Sequence, residues 1–233
     1  MKDRSRYKLN AKVYQKNALP IKNRKNISFF EFALEGLENY HASLGRYKFP
    51  DQHPIFHPCL TTTVKREIPY SLVVKVKIDF GKEIIKFYLN SLKEFCPPGN
   101  DSSTYGKTVY CDADIIELLN ERINLGRFVA QSKLKTRFFL EKIKPPHQKF
   151  WCGKGQTPTP MHWCGGKNRK QLEKKLRNLK REREVIKKAK EIARKYAFPP
   201  KIAEEYFKWI VKETIKIEIE YLKKAYPQIL SFD

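Results

Sequence analysis

IPYSLVVKVKIDFGKEIIKFYL, residues 68–89, is the stretch on which the fold reading turns. Val74, Val76, Ile78 and Phe80 alternate with Lys75, Lys77 and Asp79, and the pattern resumes as Ile85, Phe87 and Leu89 after Gly81-Lys82. Side chains of a strand point alternately to its two faces, so strict alternation signals a half-buried strand. A Gly-X pair between two such runs suits a two-residue turn, because Gly reaches the positive φ that its first position needs. The stretch therefore predicts an antiparallel hairpin. A further strand is predicted over about 127–143, where Leu134, Thr136, Phe138 and Leu140 alternate with Lys133, Lys135, Arg137 and Phe139. One of its faces would be core and the other basic.

Helical patterns flank these runs. Ser28-Phe29-Phe30-Glu31 fits a capping box, with Phe29, Phe30, Ala33, Leu34 and Leu37 following at helical spacing. Asp112 is placed to cap a short helix carrying Ile115, Ile116, Leu118, Leu119 and Ile123, stopped by Gly126. Two long helical patterns, 168–198 and 201–225, are separated by Pro199-Pro200, which ends one helix and suits the first turn of the next. The fold class expected is α+β: a mixed α/antiparallel-β body followed by a C-terminal two-helix hairpin. Its parts would be a basic flexible arm (1–27), the body (28–146), a Pro/Gly-rich connector bearing Cys and His (147–167) and the hairpin (168–233).

Charge supplies the functional expectation. The 233 residues hold 48 Lys and Arg against 25 Asp and Glu, a formal net charge of +23. Residues 1–27 carry nine basic side chains and one acid, residues 133–154 seven and one, and residues 165–201 fifteen and four. The rest of the chain is slightly acidic, and clustering of this kind is the footprint of a polyanion partner. At about 100° per residue, Leu172, Leu176, Leu179 and Ile186 share one side of the 168–198 helix. Lys170, Lys174, Arg177, Arg181, Lys188 and Lys195 share the other. With the strand face of Lys133, Lys135 and Arg137, they form the candidate surface for the phosphate backbone of DNA or RNA.

The sequence thus predicts a nucleic-acid-binding protein, accessory and non-catalytic. A first alternative is a nuclease or strand-transfer enzyme using Asp79, Glu83, Asp112 or Asp114 with a divalent metal. A second is a structural protein of a nucleoprotein particle. The apolar arc of the 201–225 helix is read as a packing element or as the interface of a homodimer. No apolar run approaches the roughly 20 residues needed to span a bilayer. The N-terminus lacks the apolar stretch of a secretory signal, so a cytoplasmic protein without a membrane partner is expected. Scarce Met with abundant Lys, Glu and Ile resembles heat-adapted composition.

The remaining motifs specify no reaction. His147, Cys152, His162 and Cys164 could form a zinc shell, Cys152 and Cys164 could form a disulfide, or neither; the spacing leaves all three open. Asp51, His53 and His57 do not match the closely spaced histidine pair of rolling-circle nucleases. Phosphate-loop glycines, Gly-x-Ser-x-Gly and His-Glu-x-x-His are absent, and no cofactor is named by any motif.

Overall fold

Gly81 begins a helix rather than turning a hairpin. In the computed structural model, which describes residues 1–56, 63–64, 73–135 and 169–227, residues 74–80 form neither strand nor helix and α2 spans Gly81–Phe95. The buried residues of that helix are Gly81, Ile84, Tyr88, Ser91 and Leu92, the last four at helical i, i+4, i+7 and i+8 spacing. Ile85, Phe87 and Leu89, which carried the strand reading, are only half-buried and flank this stripe. Gly81 is required by contact, since a Cβ there would lie 2.7 Å from Ile55 Cγ2. Asp79 Oδ1 accepts from the Gly81 N–H at 2.9 Å, satisfying one free donor of the first turn.

The α+β class is therefore corrected to all-α. No strand occurs among the described residues; their only ladder contact is an isolated bridge between Ile21 and Arg24. Besides α2 the helices are α1 (Phe29–Ser43), α3 (Tyr105–Asn124), α4 (Gly126–Lys135), α5 (Arg169–Leu176), α6 (Leu179–Lys195) and α7 (Pro200–Ala225). The Ser28–Glu31 capping box is present, with Glu31 N–H to Ser28 Oγ at 3.1 Å and Ser28 N–H to Glu31 Oε2 at 2.8 Å. The strand predicted from residue 127 begins instead as α4, while residues 136–143 lie outside the described residues.

Gly126 does not stop a helix in the way the sequence suggested. It lets α4 approach α7: a Cβ there would lie 3.0 Å from Thr214 O and 3.1 Å from Thr214 Cγ2. Helix α7 packs against α3, α4, α5 and α6 and buries Ile202, Tyr206, Ile210, Ile217, Tyr221 and Leu222 within its own chain. Its apolar arc is thus consumed by the fold, which removes the basis for a homodimer interface there. No described helix is long and apolar enough to cross a membrane.

The N-terminal segment, expected to be a loose arm, packs on the helices. Arg4, Asn10 and Val13 are fully buried. Arg4 Nε meets Asp112 Oδ1 at 2.7 Å, while its Nη atoms donate to the carbonyls of Tyr7, Lys8 and Leu9 and to Tyr14 Oη. Tyr14 and Tyr88 donate to the two Asp112 oxygens at 2.6 and 2.5 Å. Asp112 is therefore not a helix cap; it lies inside α3, seven residues beyond Tyr105, and anchors the N-terminus.

Candidate active site between α4, α5 and α7

Helices α4, α5 and α7 converge on one ion pair. Lys133 Nζ, in the last turn of α4, lies 2.6 Å from Glu218 Oε2 of α7 and donates to Leu176 O at 2.7 Å. Leu176 ends α5, so its carbonyl belongs to the negative end of that helix, where a cation is favoured. Glu218 is 3% exposed. Burial pushes its carboxyl above the usual carboxylate range, Lys133 pulls it back, and Glu182 pushes it further up.

Two features show that this pair is not simply a closed structural bridge. Thr214, one helical turn before Glu218 on α7, is buried and its Oγ1 has no hydrogen-bond partner among the described residues. Buried hydroxyls are normally satisfied, so an orphan marks a position where a ligand group can bond. Glu182 belongs to a neighbouring cleft of about 450 Å³ between the α5–α6 junction and α7. Arg177, Arg183, Lys208 and Lys212 line it against the acids Glu173 and Glu182. Its charge favours an anion, and its size suits a small molecule.

The sequence explains the junction. Asn178 stops α5 and restarts the chain, its Oδ1 accepting from the Arg181 N–H at 3.1 Å as the N-cap of α6. The register predicted over 168–198 is therefore broken. Leu172 and Leu176 are buried, but Leu179 is 52% exposed, and Ala189 and Ala193 form the buried side of α6. The cationic row is broken as well, because Arg177 pairs with Glu182 at 2.5 Å and Arg181 with Glu184 at 3.4 Å. Lys174, Lys188 and Lys195 are exposed. Lys135 and Lys170 lie in α4 and α5. Arg137, His147, Cys152, His162 and Cys164 fall outside the described residues.

Of the predicted contact residues whose side chains are described, Lys133 and Arg177 lie at this site. Lys133 faces a buried carboxylate rather than a surface. The carboxylates proposed for metal are not assembled: Asp79 accepts from the Gly81 N–H ahead of α2, Asp112 binds Arg4, and Glu83 and Asp114 are exposed. No cluster of three or more candidate metal ligands occurs among the described residues. Glu218 and Thr214 were missed because 201–225 read as a packing helix. The available signal was Glu218 set among Ile215, Ile217, Ile219 and Tyr221, an acid on an otherwise apolar arc.

Comparison with known proteins overturns the nucleic-acid reading and its nuclease alternative. The model of the family described as chorismate mutase type II matches residues 105–219, from α3 to the Glu218 turn of α7. Chorismate mutase from Candida albicans, solved in complex with L-Trp, superposes with a TM-score of 0.77 at 25% identity, over 96% of this chain and 84% of that one. The chloroplast enzyme of Zea mays gives 0.74 at 25% identity, over 95% and 86%. The fold is that of the helical chorismate mutases.

Among curated proteins, chorismate mutase 1 of Arabidopsis thaliana is 32% identical over 136 residues, which is 57% of this chain and 40% of the plant protein. The chain thus spans about two fifths of the length of that relative. Chorismate mutase of Emericella nidulans is 23% identical over 94% of this chain and 83% of its own.

Proposed function

We propose that this protein is a chorismate mutase, an enzyme that isomerises chorismate, with the buried Lys133–Glu218 pair at its catalytic centre. The observation that carries the reading is that pair: a lysine held by a carboxyl of raised pKa, beside an unsatisfied Thr214 hydroxyl and a cationic cleft, within the matched segment. Its partner is then a small molecule, and the cytoplasmic location expected from the sequence is retained as part of the proposal.

The chemistry fits the residues. Chorismate is a dicarboxylate carrying an enol ether, and its isomerisation is an intramolecular rearrangement that needs no group transferred to or from the protein. Catalysis of such a step rests on holding a reactive conformer and on stabilising charge where it develops. Arg177 and the cations around it suit the carboxylates. The Lys133 ammonium is a fixed donor for the ether oxygen, on which negative charge builds as its bond to carbon breaks. Glu218 contributes in its protonated form, since a carboxyl donates where a carboxylate would repel, and Thr214 Oγ1 supplies a further bond to the ligand.

The test follows the absorbance of chorismate. The wild-type protein is expected to consume it without added metal or cofactor, and Lys133→Ala to abolish most of the rate. Activity is expected to decline as pH rises and Glu218 deprotonates, while Glu218→Gln, which keeps a donor at every pH, flattens that limb. Wild-type protein that leaves chorismate untouched overturns the proposal.

A further inference from the structure

The cleft beside Glu182 does not end at Arg183. A second cleft of about 480 Å³ continues it along the groove between α6 and α7, and Arg183, Ile186 and Lys208 line both. Helix α6 lays Arg183, Lys187, Lys190 and Arg194 along this outer cleft because they recur at i+3 and i+4 spacing, on one face. From Arg183 to Arg194 the row covers roughly 16 Å at 1.5 Å per residue.

Internal pairing does not use up this charge. Lys190 and Lys208 share Glu204, at 2.6 and 2.8 Å, and their hydrogen bonds hold that carboxyl's pKa down to about 2. The triad is thus fixed as two cations and one anion. In the inner cleft Arg177 is paired with Glu182. Arg183, Lys187, Arg194 and Lys212 are exposed and make no ion pair among the described residues. Against them stand Glu173 in the inner cleft and Glu191 in the outer one. Seven cations therefore face four acids along the two clefts together. A row of unpaired cations leading to a basic site raises the local concentration and encounter rate of an anion, and more so for a dianion, whose interaction scales with its charge.

We propose that the outer groove is an electrostatic approach to the Lys133–Glu218 site, in which Lys187, Arg194 and Arg183 capture a dicarboxylate before it reaches the inner cleft. The inference rests on the chorismate reading for the identity of that dicarboxylate; the capture itself is a property of the groove. Lys187 and Arg194 line the outer cleft alone, so they act on arrival and not on the rearrangement. Glu191, in the same cleft, opposes them.

The experiment has two arms, both on the full chain. In the first, chorismate turnover is measured at roughly 0.01 M and roughly 1 M ionic strength, where the Debye length is about 30 and 3 Å. Lys187→Gln/Arg194→Gln, at exposed side chains, is expected to lower kcat/KM about fivefold at low ionic strength, to leave kcat unchanged and to match wild type at high. Glu191→Gln is expected to raise kcat/KM about twofold at low ionic strength. A double variant with wild-type kcat/KM at low ionic strength, or one whose defect survives high salt, overturns the approach. In the second arm, sodium isophthalate, a ring bearing two carboxylates, is titrated at low ionic strength while backbone amides are followed by NMR, with sodium benzoate as the monoanion. Isophthalate is expected to shift the amides of residues 183–194, to bind more tightly than benzoate and to bind the double variant about fivefold more weakly. Isophthalate that leaves those amides unmoved, or that binds the double variant as tightly as wild type, overturns the approach whatever chorismate does. Wild-type protein that captures isophthalate in the groove yet leaves chorismate untouched supports the groove and overturns the catalytic reading instead.

Discussion

Arg4–Asp112 and Lys133–Glu218 are ion pairs that each join distant parts of the chain, and they are built differently. At Arg4–Asp112 every charged atom has partners: the guanidinium reaches one carboxylate oxygen, three carbonyls and a tyrosine, and both carboxylate oxygens take tyrosine hydroxyls. Burial works against the Arg4 cation, but Asp112 and Tyr14 outweigh it and hold its pKa above the ordinary range. At Lys133–Glu218 the pair is just as close, and burial pushes up the Glu218 carboxyl as it does that of Asp112; what differs is a buried hydroxyl beside Glu218 with no partner among the described residues and a cationic cleft that adjoins it. The difference teaches how to tell a fastening from a site: the fastening is closed, whereas the site keeps bonding capacity for something else.

The comparison breaks most decisively at Arg4. Arg4→Met leaves Asp112 buried without its cation, and chemical denaturation is expected to show a loss of about 3–5 kcal/mol. Folded Arg4→Met protein should retain its turnover of chorismate. A larger fall in kcat than in stability would mean that the N-terminal pair is part of the site after all.

Lys133→Ala should show the converse. Removing one preorganised donor from a developing charge costs about 10²–10³ in kcat, while the melting temperature is expected to fall much less than in Arg4→Met. Because Lys133 is 28% exposed, water can reach what it leaves behind.

A third buried acid, Glu38, sharpens the contrast. It is satisfied by the N–H groups of Ile55 and Phe56, at 2.5 and 2.9 Å, and meets no direct cation among the described residues. Burial raises its pKa to about 8, the two N–H bonds oppose the shift, and neighbouring Glu117 adds to it. Glu117 in turn faces Arg46 and His41 at 3.1 and 3.3 Å, with Glu121 also on Arg46. A raised folded-state pKa means that Glu38's contribution is fully present below its unfolded value of 4.5 and is lost as pH rises towards 8. Denaturant midpoints measured across that window are expected to fall with pH in wild type and less steeply in Glu38→Gln.

The smallest effect is expected where no polar chemistry is involved. Ala197, between α6 and α7, has φ of +49°, in the left-handed region that favours glycine. Ala197→Gly is expected to raise stability by about 1 kcal/mol, without changing the proposed chorismate turnover.

By itself the sequence determined the local punctuation. Ser28 and Glu31 cap α1 because both partners lie within four residues of each other. Pro199-Pro200 separates two helices because proline rejects the conformation that would join them. Even there Asn178 went unread, although its side chain breaks the run and restarts it.

What only the tertiary structure decided is which faces are inside and which charges meet. Residues 81–89 fit a two-residue and a 3.6-residue period about equally over so short a span. Packing of Tyr88 onto Asp112, and of Phe87 onto Trp209 with ring centroids 4.0 Å apart, selects the helix. Clustered positive charge was read as a surface facing a polyanion. Yet Arg4 pairs 108 residues away, Lys133 pairs 85 residues away, and Arg127 is buried whole. A cation's partner depends on distance in space, and no count of charge along a chain contains that distance.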